Sequence, residues 1–280
     1  MNAADPIPSI AAALDEAEAE RRFGGLRRLY GDAAYGRIRA AHVVVIGVGG
    51  VGSWTAEALA RSGVAALTLI DLDHVAASNV NRQVQALGST LGQAKVGALA
   101  ARIADIHPGC TALGIEEFVA PENWPALLPS DRRIDAVVDA CDQVRAKAVV
   151  AAWALDNGTP LVVVGAAGGK RRAELVRVSD LAAVTHDPVL ARLRHDLRRR
   201  HGAARSGAIG VVCVHSPEAV QMPEGACDVE ANLACHGYGS SVAVTAAFGM
   251  VAAGRTLESV AFPSTERHTP PATIEGLPGC

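Results

Sequence analysis

The sequence has no long hydrophobic run: its longest apolar stretches, Val43 to Val51 and Val242 to Gly254, stop well short of the roughly 18 residues a membrane span requires. It has no CxxC pair. Its six cysteines stand at positions 110, 141, 213, 227, 235 and 280, which excludes the usual structural zinc framework and suits a reducing compartment. The opening segment carries Asp5, Asp15, Glu16, Glu18 and Glu20 and no Lys or Arg before Arg21, so the charged start of a secretory signal is missing. Nor is there an excess of positive charge. Twenty-six basic residues face 29 acidic ones for a formal net charge of −3, so no global field draws the chain to nucleic acid. A soluble, cytoplasmic protein without a membrane partner is expected.

What is present is a 280-residue chain at 50% hydrophobic composition, enough for one large domain with an ordinary core. Val43-Val44-Val45-Ile46 runs into Gly47-Val48-Gly49-Gly50-Val51-Gly52 and then Trp54 to Ala60, which reads as strand, glycine turn and helix. A second strand, Ala66 to Ile70, ends at Asp71, and a helix follows from Gln93 to about Ile106. Further apolar runs at Ile134 to Asp139 and Leu161 to Val164 flank a helix from Val144 to Asp156. Strands apolar on both faces predict an α/β fold, a Rossmann-like and mostly parallel sheet with helices on both faces. Beyond Gly165 the pattern predicts a strand at Glu174 to Val178, a charged helix from Pro188 to His201, a strand at Ile209 to Val214 and a last helix from Gly239 to Thr256. The organisation expected is a flexible arm over 1–20, a single domain over 21–260 with an RNA-binding insertion around 170–205, and a disordered, proline-rich tail over 261–280.

Glycines 47, 49, 50 and 52 let the main chain turn tightly and approach a ligand, and the helix behind them offers free N–H groups to phosphate. Asp71, at the end of the second strand, is placed to accept ribose hydroxyls, which suits NAD and ATP equally. The polar run Ser78-Asn79-Val80-Asn81-Arg82-Gln83 separates them. An NAD enzyme has little use for it, whereas Arg82 and Lys95 together would bring two cations to a triphosphate. Asp139 and Asp142, at a third strand end, offer a carboxylate to the magnesium that accompanies ATP. Each residue also has an ordinary structural reading: turn formers for Asn79 and Asn81, surface charges for Arg82 and Lys95, a helix cap for Asp142.

Taken in order, Arg22, the glycine turn, Asp71, Asn79-x-Asn81-Arg82-Gln83, Lys95 and Asp139-x-x-Asp142 resemble the ATP-dependent activating enzymes of the ThiF/MoeB/ubiquitin-activating superfamily. Arg22-Phe23-Gly24-Gly25, Gly49 to Trp54, Asp142-x-x-Arg145-x-Lys147, Gly165-Ala166-Ala167-Gly168-Gly169, Cys235-x-Gly237-x-Gly239 and Val244-Thr245-x-x-Phe248-Gly249 make the chain similar to the tRNA threonylcarbamoyladenosine dehydratase branch, TcdA/CsdL. The absent zinc cysteines favour that branch over activators of sulfur-carrier proteins.

The resemblance implies adenylation of the threonyl carboxylate of threonylcarbamoyladenosine beside the anticodon, followed by ring closure with loss of AMP. It implies Arg82, Lys95 and Asp142 as catalytic residues, with magnesium on Asp142. Arg22 would reach the nucleotide of a partner subunit in a homodimer. It also suggests a monovalent cation near Gly165 to Gly169 and a cysteine-desulfurase or sulfur-acceptor partner. Cys235 is a candidate acyl-capturing thiolate, although an intramolecular cyclisation has no need of one. RNA contacts must be local, and two basic runs are available: Lys170-Arg171-Arg172, and the helix bearing Arg192, Arg198 and Arg199. The competing readings are a sulfur-carrier activating enzyme, an NAD-dependent oxidoreductase and, for the basic helix, a merely solvated face.

Overall fold

The computed structural model describes residues 16–220 and 239–263. Two helices, α1 (Glu16–Tyr30) and α2 (Asp32–Ala40), lead into β1 (His42–Ile46). Within the described part of the expected arm, the chain is therefore helical from Glu16, with Glu16 and Glu18 at the positive end of α1 and Arg27 and Arg28 at the negative end. Then follow α3 (Gly52–Arg61), β2 (Ala66–Ile70), α4 (Lys95–Ile106), β3 (Thr111–Ile115), β4 (Ala136–Asp139), α5 (Val144–Asn157), β5 (Leu161–Val164), β6 (Arg177–Asp180), α6 (Pro188–Arg200), β7 (Val212–His215) and α7 (Val242–Ala261). No helix among the described residues is long and apolar enough to cross a membrane.

The strands form one seven-stranded sheet in the order β3-β2-β1-β4-β5-β7-β6. All neighbours are parallel except β6 against β7. Side chains alternate across a strand, so β1 serves two cores at once: Val43 and Val45 pack with α3, α4 and α7, while Val44 and Ile46 pack with α5 and α6. Both faces are covered. That is why β1, β2, β4 and β5 read as unbroken apolar runs.

The strand order reverses at β1, which has β2 on one side and β4 on the other. The loops leaving β1 and β4 therefore diverge to opposite faces and leave a crevice beyond the carboxyl ends of the strands.

Three strands differ from expectation, each for a visible reason. Edge strand β3, Thr-Ala-Leu-Gly-Ile, is largely exposed on one flank and lacks the apolar run that marks its buried neighbours. The strand expected at Glu174 to Val178 begins at Arg177, after a tight turn over Ala173–Leu175. The one expected at Ile209 to Val214 begins at Val212. The first shift follows from that turn, and the second from Asp180, whose carboxylate accepts the Ile209 and Gly210 N–H groups and so diverts those amides from the ladder. The region expected as an insertion, 170–205, is integral: β6 extends the sheet and α6 covers α5 and the β7 side of the core.

Candidate nucleotide site

The glycine turn follows β1 directly. Gly47 has φ of 78°, and a Cβ there would lie 2.8 Å from the Cys141 nitrogen, so the turn after β1 and the turn after β4 touch backbone to backbone. At Gly52 a Cβ would collide with the Gly47 carbonyl oxygen. Gly52 therefore lets α3 start against the strand end and does not line the cleft. Gly47, Gly49 and Gly50 do line it.

The cleft has a volume of about 460 Å³. Asp71, Asn79, Arg82, Gln83, Lys95 and Asp142 all face it, although they come from widely separated points of the chain. Asp71 stands on the floor, 8% exposed, its Oδ2 accepting the Val48 N–H at 2.8 Å and its Oδ1 the Asp73 N–H at 2.9 Å. Burial raises its pKa above the ordinary carboxylate value, opposed by the nearby Lys95 charge and by these two N–H donors. Lys95, at the first turn of α4, is held between two acids: its Nζ is 2.6 Å from Asp73 Oδ2 and 4.0 Å from Asp71 Oδ1. Sequence reasoning misses Asp73. The only signal for it is the acid-x-acid spacing Asp71-Leu72-Asp73 at the end of β2.

Arg82 is anchored at both ends. Its guanidinium donates to the Ser78 carbonyl at 2.6 Å and to Asn81 Oδ1 at 2.9 Å, while its own carbonyl accepts the Trp54 indole N–H at 3.0 Å. Asn81 itself lies outside the cleft lining, and its amide donates to the Ser240 carbonyl at 3.0 Å. It therefore positions Arg82 without facing the cleft. Asn79 shapes the same loop, accepting the Ala76 N–H through its side chain at 3.0 Å. Gln83 is 6% exposed, with its Oε1 accepting from Gln85 at 3.4 Å.

Asp139 departs from its expected place. It is fully buried beneath the β4 turn and does not line the cleft. Its Oδ1 accepts the Lys147 ammonium at 3.1 Å and the Cys141 N–H at 3.1 Å, and Lys147 also donates to the Asp139 carbonyl. This buried pair fixes the turn that carries Asp142 outward. Asp142 is exposed in the cleft, and no hydrogen bond or ion pair among the described residues occupies its carboxylate. No group of three or more His, Cys, Asp or Glu able to hold a metal ion occurs among the described residues. The donor set is thus one free hard carboxylate facing the cleft, which fits magnesium carried by a nucleotide and not a dedicated cation cage. Cys141 lines the cleft too, but burial and the Asp139 charge push its thiol pKa up, which disfavours the thiolate.

The far wall is formed by Val164 to Gly168 with Pro188, Val189, Val220 and Ser240. It includes much of the loop at which a monovalent cation is expected. Phe118 and Val119, from the loop after β3, supply an apolar flank that the sequence pattern does not reveal.

Arg22 does not line this cleft. It lies on α1, pairs with Glu18 at 2.7 Å and donates to the Ile106 carbonyl at 2.8 Å. Cys235 lies outside the described residues. Of the two basic runs, the first is corrected: Lys170 is 2% exposed and its Nζ donates inward to the Ser216 and Glu218 carbonyls, so it cannot meet RNA from that position. The Arg171 and Arg172 amides are held by the Glu218 carboxylate, and the Arg172 guanidinium pairs with Glu174 at 2.7 Å. On α6, Leu193 and Leu197 turn inward while Arg192 and Arg199 are exposed and Arg198 is partly covered, donating to the Ala204 carbonyl.

Residues 23–269 match the ThiF family. The chain is 40% identical over 252 residues to the tRNA threonylcarbamoyladenosine dehydratase of Escherichia coli, covering 86% of this chain and 93% of that protein. It is 38% identical over 247 residues to the Haemophilus influenzae protein of the same name, covering 86% and 94%. The crystal structure of the E. coli enzyme, TcdA, in complex with ATP superposes with a TM-score of 0.79, covering 89% of this chain and 97% of that one. A second structure of that enzyme, in complex with AMP, gives 0.80. The chain belongs to the ThiF family.

Proposed function

We propose that this protein is an ATP-dependent tRNA threonylcarbamoyladenosine dehydratase, which adenylates the threonyl carboxylate of the modified adenosine and lets the ring close with loss of AMP. The observation that carries this reading is convergence: Arg82, Lys95 and Asp142, distant in sequence, face one cleft whose floor is Asp71 and whose rim is the glycine turn.

In the first step the substrate carboxylate attacks the α-phosphorus of ATP and pyrophosphate departs. Negative charge grows on the phosphoryl oxygens, and preorganised cations lower that barrier. Arg82 meets the requirement because Ser78 and Asn81 already fix its guanidinium. Lys95 is held at the cleft floor by Asp73 and Asp71. Asp71, on the cleft floor, accepts the ribose hydroxyls through the carboxylate lone pairs that the Val48 and Asp73 N–H groups leave free. Asp142 would hold magnesium, which when bound offsets charge on the phosphate oxygens. In the second step the carbamoyl group of the same nucleoside closes on the activated carbonyl and AMP leaves. Nucleophile and electrophile belong to one molecule, so orientation does most of the work. No protein thiolate is required, and Cys235 has no assigned part.

The exposed arginines of α6 form the RNA-facing surface. Arg22, exposed and remote from its own cleft, serves the nucleotide of a partner protomer in a homodimer. Cytoplasmic tRNA is the substrate.

The test is incubation of threonylcarbamoylated tRNA with the protein, ATP and magnesium, followed by mass spectrometry of the nucleosides. Loss of one water from the modified adenosine, coupled to AMP release, is expected. An unchanged nucleoside, with pyrophosphate exchange stimulated by a sulfur-carrier protein, would overturn the reading. Thermal stabilisation by NAD and not by ATP would do so as well.

A further inference from the structure

Two segments that build the far wall, Val164 to Gly168 and Pro188-Val189, are 20 or so residues apart in sequence, and a single carboxylate joins them. Asp187 Oδ1 accepts the Val189 N–H at 3.1 Å and the Leu190 N–H at 3.0 Å, which caps α6. Its Oδ2 accepts the Ala166 N–H at 2.8 Å. The side chain is 4% exposed and does not itself line the cleft.

A helix N-cap needs one oxygen, and Ser, Thr or Asn would supply it. The second oxygen of Asp187 is therefore surplus to capping and is directed at the loop. The loop is shaped to receive it: a Cβ on Gly165 would collide with Asp187 Oδ2. Behind the carboxylate lies Lys170, buried, whose pKa is lowered by desolvation and raised in part by the Asp187 charge.

The helix that begins at this carboxylate is anchored along its inner face by Val189, Leu190, Leu193 and Leu197. Its 13 residues span about 20 Å, with Arg199 and Arg200 at the far end.

We propose that Asp187 is a positioning residue that ties the Gly165–Ala167 wall to the first turn of α6, so that the helix bearing the RNA-facing arginines also sets the surface against which the acceptor carboxylate lies. This rests on the tRNA reading given above. Asp187 acts through Ala166 and Gly165 and touches no reacting atom.

The experiment compares the wild type with Asp187→Asn, Asp187→Ser and Gly165→Ala. Asn and Ser still cap α6, but neither offers acceptors to both the helix and Ala166. Gly165→Ala presses on the same junction from the loop side. Three quantities are read: ATP affinity by thermal shift, affinity for threonylcarbamoylated tRNA by filter binding, and kcat for water loss. Both affinities should stay within about twofold of wild type, while kcat falls about tenfold or more, because a shifted wall misplaces the reacting carboxylate. Asp187→Asn combined with Gly165→Ala should be no worse than the poorer single variant, because both break the same tie. An active wild type whose variants keep kcat within about twofold would overturn the positioning role alone. So would a fall in ATP affinity matching the fall in kcat, which signals general loosening. A wild type inert toward this tRNA would overturn the functional reading and the proposal with it.

Discussion

Lys147 Nζ lies 3.1 Å from Asp139 Oδ1, and neither side chain has any exposed surface. Burial by itself would lower the lysine pKa; the Asp139 carboxylate outweighs it and the net shift is upward, so the ammonium is held charged. The second oxygen of Asp139 is buried without a partner among the described residues. The turn that presents Asp142 therefore stands on a pair that depends on both members. Lys147→Met is expected to cost about 3–5 kcal/mol, because it strands a buried carboxylate. Adding Asp139→Asn to Lys147→Met should restore part of that loss. Urea denaturation of the three proteins measures both effects.

Asp142 is exposed in the cleft, and the guanidinium of half-buried Arg82 bonds, among the described residues, only to the exposed Ser78 and Asn81, so truncating either removes little packing. Arg82→Ala and Asp142→Ala are each expected to lower kcat for water loss by about a hundredfold or more, in line with the loss of a preorganised charge at a developing anion. The unfolding midpoint should move by less than about 1 kcal/mol equivalent. Single-turnover assay with parallel denaturation curves separates the two; full activity in either variant rejects the assigned role.

His107 gives the protein an acid limit. Its ring is 1% exposed, with Nε2 2.9 Å from the Arg39 guanidinium and Phe23 4.7 Å away. Burial, then the Arg39 and Arg22 charges, lower its pKa from 6.5 to about 4. A histidine with a depressed folded pKa binds fewer protons folded than unfolded between those values. Its contribution to stability is thus complete above pH 6.5 and is lost as pH falls toward about 4. Denaturation curves across that window should flatten in His107→Gln, and an unchanged slope would show that other groups govern it.

Arg192 and Arg199 lie on the exposed side of α6, clear of the cleft lining. Replacing both with Ser should weaken tRNA binding and reduce the slope of log affinity against log salt by roughly one for each phosphate that is no longer neutralised. ATP affinity should not change. Equal salt slopes for variant and wild type would remove α6 from the RNA surface.

The sheet and the nucleotide-binding turn are legible in the chain because their signals are local. An apolar strand, a glycine turn and a following helix occupy consecutive residues, and β2 and β5 fall where their apolar runs predict. Edge strand β3 is not legible, since an exposed strand carries no apolar run to announce it. In the site, the order Asp71, Arg82, Lys95, Asp142 can be read directly, but its supports cannot: nothing in the sequence pairs Lys95 with Asp73, and nothing near Lys170 reveals that its ammonium points inward to Ser216 and Glu218.

The sequence by itself determined the architecture, the phosphate-holding turn and the charged groups available to a nucleotide, because strand periodicity and glycine conformation act over a few residues. Only the tertiary structure decided which of those charges face the cleft and which are committed to the interior. Burial of a polar side chain depends on elements brought together from remote parts of the chain: Lys147 beneath Asp139, Lys170 against Ser216, and Asp187 between Ala166 and the start of α6.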